Sequence, residues 1–153
     1  MSTIIAETYI LEIKAWQSLI MFYKLQLDVL KHKLFQAFKT PVLIKDSARL
    51  ENYQVHLIAI QDYLYEIETS IQKQFDEIDN SYLFDDLNKN EIIEREQLLL
   101  RYKMYITEKK YLRFRYNLSQ YLISIFEDII LFKFKSNLFK ISSNHRRSAN
   151  ITV

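Results

Sequence analysis

Arg49 and His56 lie seven positions apart in Arg-Leu-Glu-Asn-Tyr-Gln-Val-His, a spacing that puts both on one face of a helix. A guanidinium there can stabilise charge developing on a phosphate, while an imidazole handles protons near neutral pH. Elsewhere such chemistry is sparse. The histidines His32, His56 and His145 fall in separate segments with no His-x-x-x-His or Glu-x-x-His pair, so no metal site is expected. Glu91, Glu94 and Glu96 crowd a helix start, where the helix dipole accounts for them. The sequence has no glycine and no cysteine. Glycine-dependent phosphate cradles are therefore excluded, as are disulfides, thiolate metal sites and cysteine nucleophiles. No cofactor is expected.

The Arg49-to-His56 segment resembles the Arg-x(4–6)-His motif of the HEPN family, helical bundles that include RNA-cleaving toxins. The resemblance covers residues 49–56, and Leu50 stands where that family usually carries a polar residue after the arginine. It implies a ribonuclease with Arg49 and His56 as its catalytic pair. An exposed arginine beside a histidine near a hairpin end has the same spacing without any chemistry.

A second candidate is the segment Lys109-Lys110-Tyr111-Leu112-Arg113-Phe114-Arg115-Tyr116, cations for phosphate interleaved with aromatic faces for bases. The net charge of +2 hides an asymmetry: residues 1–90 carry −4 and residues 91–153 carry +6. An antiparallel return of the third helix on the second sets Glu66 near Lys103 and Glu68 near Arg101, which would neutralise the central bases internally. Arg113, Arg115, Lys133, Lys135, Lys140, Arg146 and Arg147 have no such opposite, and they form the expected anion-binding set toward nucleic acid or an anionic membrane.

The elements that must position these residues are helical. The 153 residues are 49% apolar and 14% aromatic with a single proline, which excludes disordered, collagen-like and hairpin-rich chains. The expected fold is an all-α antiparallel bundle of three or four long helices with coiled-coil-like heptad seams. Helix 1, residues 4–38 with Ser2 or Thr3 as cap, has its seam at Tyr9, Ile13, Trp16, Ile20, Tyr23, Leu27, Leu30, Leu34 and Ala37. That unbroken 3-4 alternation makes a rod about 50 Å long. Pro41 ends it. Helix 2, residues 47–78 capped by Asp46 or Ser47, repeats the pattern at Leu50, Tyr53, Leu57, Ile60, Leu64, Ile67, Ile71, Gln74 and Ile78. An acidic, Asn-rich connector, residues 79–90, follows, with Tyr82, Leu83, Phe84 and Leu87 folded over the hairpin end.

The third segment has seam signals at Leu98/Leu99, Tyr102 and Ile106, then at Leu118, Leu122, Ile125, Ile129 and Phe132. Lys109, Lys110, Arg113 and Arg115 interrupt the phase, which predicts a break giving helices at 91–113 and 117–141. Residues 1–141 form one domain in this reading, and 142–153 a frayed polar tail. Helix 1 bears a further stripe, Leu11, Ala15, Phe22, Leu25 and Val29, nearly opposite its seam. A helix apolar all round is either buried centrally or paired with another copy. The functional expectation is a non-enzymatic interaction or scaffold protein using that stripe toward a protein partner or itself as a homodimer. A nucleic-acid or anionic-membrane binder is the alternative, and a HEPN-like ribonuclease a third. No small-molecule substrate is evident. Residues 1–13 lack a basic leader region, and Glu127 and Asp128 interrupt the most lipid-like stretch, so a cytoplasmic location is expected.

Overall fold

The computed structural model describes the backbone of residues 3–40, 47–81 and 87–148, and the side chains of residues 3–40, 47–80 and 88–137. Three helices account for almost all of it: α1 Thr3–Phe38, α2 Ser47–Ser81 and α3 Leu87–Ser148. No strand occurs among the described residues, and the chain is an all-α helical bundle. At 1.5 Å per residue the helices measure about 54, 52 and 93 Å.

The first two seams lie where their spacing places them. Ile13, Ile20, Tyr23, Leu27, Leu30, Leu34 and Ala37 of α1 are buried, with Tyr9 and Trp16 packed half-buried against the same core. Leu50, Leu57, Leu64, Ile67, Ile71 and Ile78 of α2 are buried opposite them. Bonds from Gln17 to Gln72, Lys24 to Glu68 and Gln61 to Asp28 make α1 and α2 antiparallel. Gln74 on Gln97 and the Tyr53 hydroxyl donating to the Asn117 carbonyl (3.4 Å) make α2 and α3 antiparallel too. α1 and α3 run parallel, with Arg101 on Glu12 and Tyr111 on Tyr23. Each helix packs on the other two, in an up-down-up triangle. The Lys39 and Thr40 amides donate to the Gln36 and Ala37 carbonyls at 3.2 and 3.1 Å, tightening the last turn of α1. Ser2, Pro41, Asp46, Tyr82, Leu83 and Phe84 lie outside the described residues.

Four expectations need correction. The third segment is one helix, without a break between residues 113 and 117. Its true seam is Ile93, Gln97, Leu100, Met104, Thr107, Tyr111, Phe114, Leu118, Tyr121 and Ile125, an unbroken 3-4 alternation. The apolar signals at Leu98, Leu99 and Tyr102 belong to exposed positions. No phase slips, so nothing forces a kink. Second, the connector is shorter than expected: α2 continues through Asp79 and Asn80, anchored by fully buried Ile78, and α3 starts at Leu87. Residues 142–148 continue α3 instead of fraying.

Third, the two ion pairs run elsewhere. Glu68 meets Lys24 at 2.7 Å, and Arg101 meets Glu12 at 2.8 Å. Glu66 and Glu68 sit about 200° apart around α2, so both cannot face α3, and the same holds for Lys103 and Arg101. Fourth, α1 is not enclosed on all sides, because a triangle of three helices covers only the inward side of each.

A chain of polar groups crosses the core. Gln74, 4% exposed, donates to the Ile93 carbonyl at 2.9 Å and to the Gln97 amide oxygen at 3.2 Å. Gln97, fully buried, donates to Glu12 at 2.8 Å, and Arg101 closes on the same carboxylate. Burial raises the Glu12 pKa, but the Arg101 and Gln97 hydrogen bonds and the Arg101 charge outweigh it, holding the carboxyl below its ordinary 4.5. The folded protein therefore binds fewer protons than the unfolded chain in that range. The stabilisation is complete above pH 4.5 and drains away as pH falls through the depressed value. Glu12→Gln should lower stability at neutral pH by about 1 kcal/mol, part of the pair being exposed. Urea midpoints should also fall less steeply for the variant than for the native chain between pH 6 and 3. Parallel curves would remove Glu12 as the titrating group.

Candidate interaction faces

The outward stripe of α1 is open to solvent. Leu11 is 68% exposed and Leu25 60%, with Phe22, Val29 and Ala15 also exposed. Phe22 sits beside a stacked pair of rings. Its ring lies 6.2 Å from that of Tyr23, which stacks on Tyr111 of α3 at 3.9 Å. Burial, together with the Glu108 charge and hydrogen bond, pushes the Tyr23 phenol up to about 12. Burial also raises Tyr111, against the lowering influence of Arg115. Both rings are buried in the α1–α3 seam.

α3 has an outward stripe of its own that sequence reasoning missed. Leu98, Tyr102, Tyr105, Leu112, Tyr116, Ile123 and Ile130 are all exposed, and they recur at steps of three, four and seven residues on the side away from the core. Part of this stripe was assigned to the seam because two phases of the helix are apolar at once. The available signal was the inward phase itself, continuous from Ile93 to Ile125 once Gln97 and Thr107 are admitted as members. Thr107 is tolerated there because its hydroxyl donates to the Lys103 carbonyl at 2.6 Å.

The candidate catalytic pair is divided between two surroundings. The Arg49 guanidinium lies 4.5 Å above the ring of Tyr121. His56 lines a groove of about 390 Å³ between α2 and α3 with Tyr63, Lys110, Arg113 and Asn117. Arg49 does not line that groove. The structure instead brings His56 together with Arg113, a residue from the anion-binding set, and with Lys110, which covers the Tyr63 ring at 4.5 Å. Three nitrogen groups on one groove can hold an anion. Arg115 is exposed on α3, and Lys133 and Lys135 are exposed far along the same helix. The side chains of Lys140, Arg146 and Arg147 lie outside the described residues. Among the described residues no three His, Cys, Asp or Glu side chains gather closely enough for a metal ion. No helix among the described residues is long and apolar enough to cross a membrane.

No family model matches the sequence, and neither a curated protein nor a solved structure is significantly similar to it. The resemblance carried by Arg49 and His56 thus extends no further than residues 49–56.

The Tyr23 phenol supplies a check on this burial. A pKa raised from 10.0 to about 12 means the folded state keeps a proton that the unfolded chain loses. This contribution is complete below pH 10 and disappears as pH rises through 12. Tyr23→Phe should lose less stability than the native chain between pH 9 and 12, followed by far-ultraviolet dichroism. It should also remove one late-titrating phenol from the absorbance curve. An unchanged absorbance titration would contradict the assignment.

Proposed function

We propose that this chain is a non-enzymatic interaction protein that docks an amphipathic helix of a protein partner along the outward face of α1. The observation that carries this reading is the stripe Leu11, Phe22, Leu25 and Val29, left open after the three helices have buried their seams. Covering such side chains is worth about 1.5–3 kcal/mol each. Their heptad-like spacing suits a helix laid alongside, and the Tyr23–Tyr111 stack gives the face a rigid base. The cysteine-free composition suits the cytoplasm, where we place the interaction.

A photo-cross-linking residue at Leu25 or Val29, in cells that natively express the protein, should give the same discrete adduct from both positions. One at exposed Glu51 should not. The cross-linked peptide should map to the apolar face of a helix. Leu25→Glu should abolish the adduct while shifting stability by no more than about 0.5 kcal/mol, whereas Leu27→Ala, in the core, should cost about 2–5 kcal/mol. Absence of a discrete adduct at both positions, or a Leu25→Glu penalty as large as that of Leu27→Ala, would end the proposal.

The His56, Lys110 and Arg113 groove favours a second reading, phosphate-backbone binding. Single-stranded RNA oligonucleotides should then bind with affinity that falls with salt. Arg113→Glu should reduce the slope of log K against log salt by at least about 0.7. Salt-independent binding, or a slope identical in the variant, would dispose of it.

A further inference from the structure

α3 outruns its neighbours. Because α1 and α3 run parallel, with Glu12 on Arg101 and Tyr23 on Tyr111, the end of α1 comes level with residues near 126. Leu122 and Phe126 accordingly share a groove with Lys33 and Gln36. Ile129 is the last buried side chain of α3 among the described residues. From residue 130 to Ser148 the helix continues past the described ends of α1 and α2, for about 28 Å. Ile130, Leu131, Phe132 and Phe134 are each more than half exposed. A single helix of this length is marginal in water on its own, and here it leaves four large apolar side chains in solvent. Its charges are ordered along the axis: Glu127 and Asp128 at the root, Lys133 and Lys135 beyond, all exposed.

We propose that a second copy of this chain covers the extension, the two α3 helices lying antiparallel about Leu131. Reversing one helix on the other sets the acidic root of each copy against the basic stretch of its partner. Leu131, at the two-fold, falls between them. Asp128 and Lys135, seven positions apart, occupy one flank of the helix, so each copy's Asp128 meets the other's Lys135 across the two-fold. The same two-fold carries the distal turns of each extension back over the exposed Ile123 of its partner. A parallel pair would instead stack acid on acid and base on base. This surface is separate from the outward stripe of α1, and its pairing holds whether or not that stripe docks a partner.

The chain has no cysteine, so engineered ones are unique. Asp128→Cys and Lys135→Cys chains, mixed under mild oxidation, should form the mixed disulfide dimer in preference to either self-linked dimer. Light scattering should give twice 18.6 kDa for the native chain and 18.6 kDa for Leu131→Glu, with bundle helicity retained. Leu25→Glu should remain dimeric. Asp128→Lys should weaken self-association by about tenfold, and adding Lys135→Asp in the same chain should restore it. The proposal is overturned by a native chain that stays monomeric up to 100 µM, by self-linked dimers dominating, or by a double exchange that fails to recover. A monomer that sediments with anionic phosphatidylserine vesicles would assign the segment to lipid and overturn it equally.

Discussion

The fold turns on one polar relay buried where apolar contacts alone would leave the helices free to slide. Leucine and isoleucine seams of 3-4 spacing interdigitate nearly as well after a shift of one heptad, since every layer looks like the next. Gln74, Gln97, Glu12 and Arg101 break that degeneracy. One residue comes from α2, one from α1 and two from α3, so a slip of any helix strands a buried amide or a carboxylate. An unpaired buried amide costs about 1–3 kcal/mol, comparable to the gain from burying one apolar side chain. The relay sets register, and register in turn decides which surfaces face outward and how far α3 projects.

What faces outward is unusual for its apolar content. The seams fill the interior of the triangle, yet α1 keeps Leu11, Phe22, Leu25 and Val29 outside, and α3 keeps Leu98, Tyr102, Leu112 and Tyr116. Three helices have three inward stripes to bury and no place for a fourth or fifth. The α1 stripe is the surface on which the proposed docking rests. The chemistry-bearing residues, by contrast, are dispersed: Arg49 is taken up by Tyr121, and His56 lies in a groove with Lys110 and Arg113. Tyrosines serve packing in the Tyr23–Tyr111 and Tyr53–Tyr121 stacks.

Much of this was legible in the sequence, and unevenly so. The α1 and α2 seams could be read residue by residue because each has an apolar 3-4 alternation, interrupted only by Gln74. The end of α1 before Pro41 was legible for the same local reason. α3 misled because its outward phase is nearly as apolar as its inward one and its inward phase carries Gln97 and Thr107. Periodicity therefore favoured the wrong face, and a break was expected where none exists. The acid–base pairs misled differently. Charge balance between halves of the chain said that neutralisation would occur, but not that Glu68 would turn to Lys24 and Arg101 to Glu12.

By itself, the sequence determined the helical class, the number of apolar stripes on α1 and the register of charges along each helix. These are properties of neighbours three and four apart, set by the pitch of a single helix. The tertiary structure alone decided which of two stripes on α3 turns inward, which carboxylate meets which guanidinium, and that His56 and Arg113 share a groove. It also decided that α3 passes beyond its neighbours by some nineteen residues, since an overhang exists only relative to other helices held in register by the polar relay.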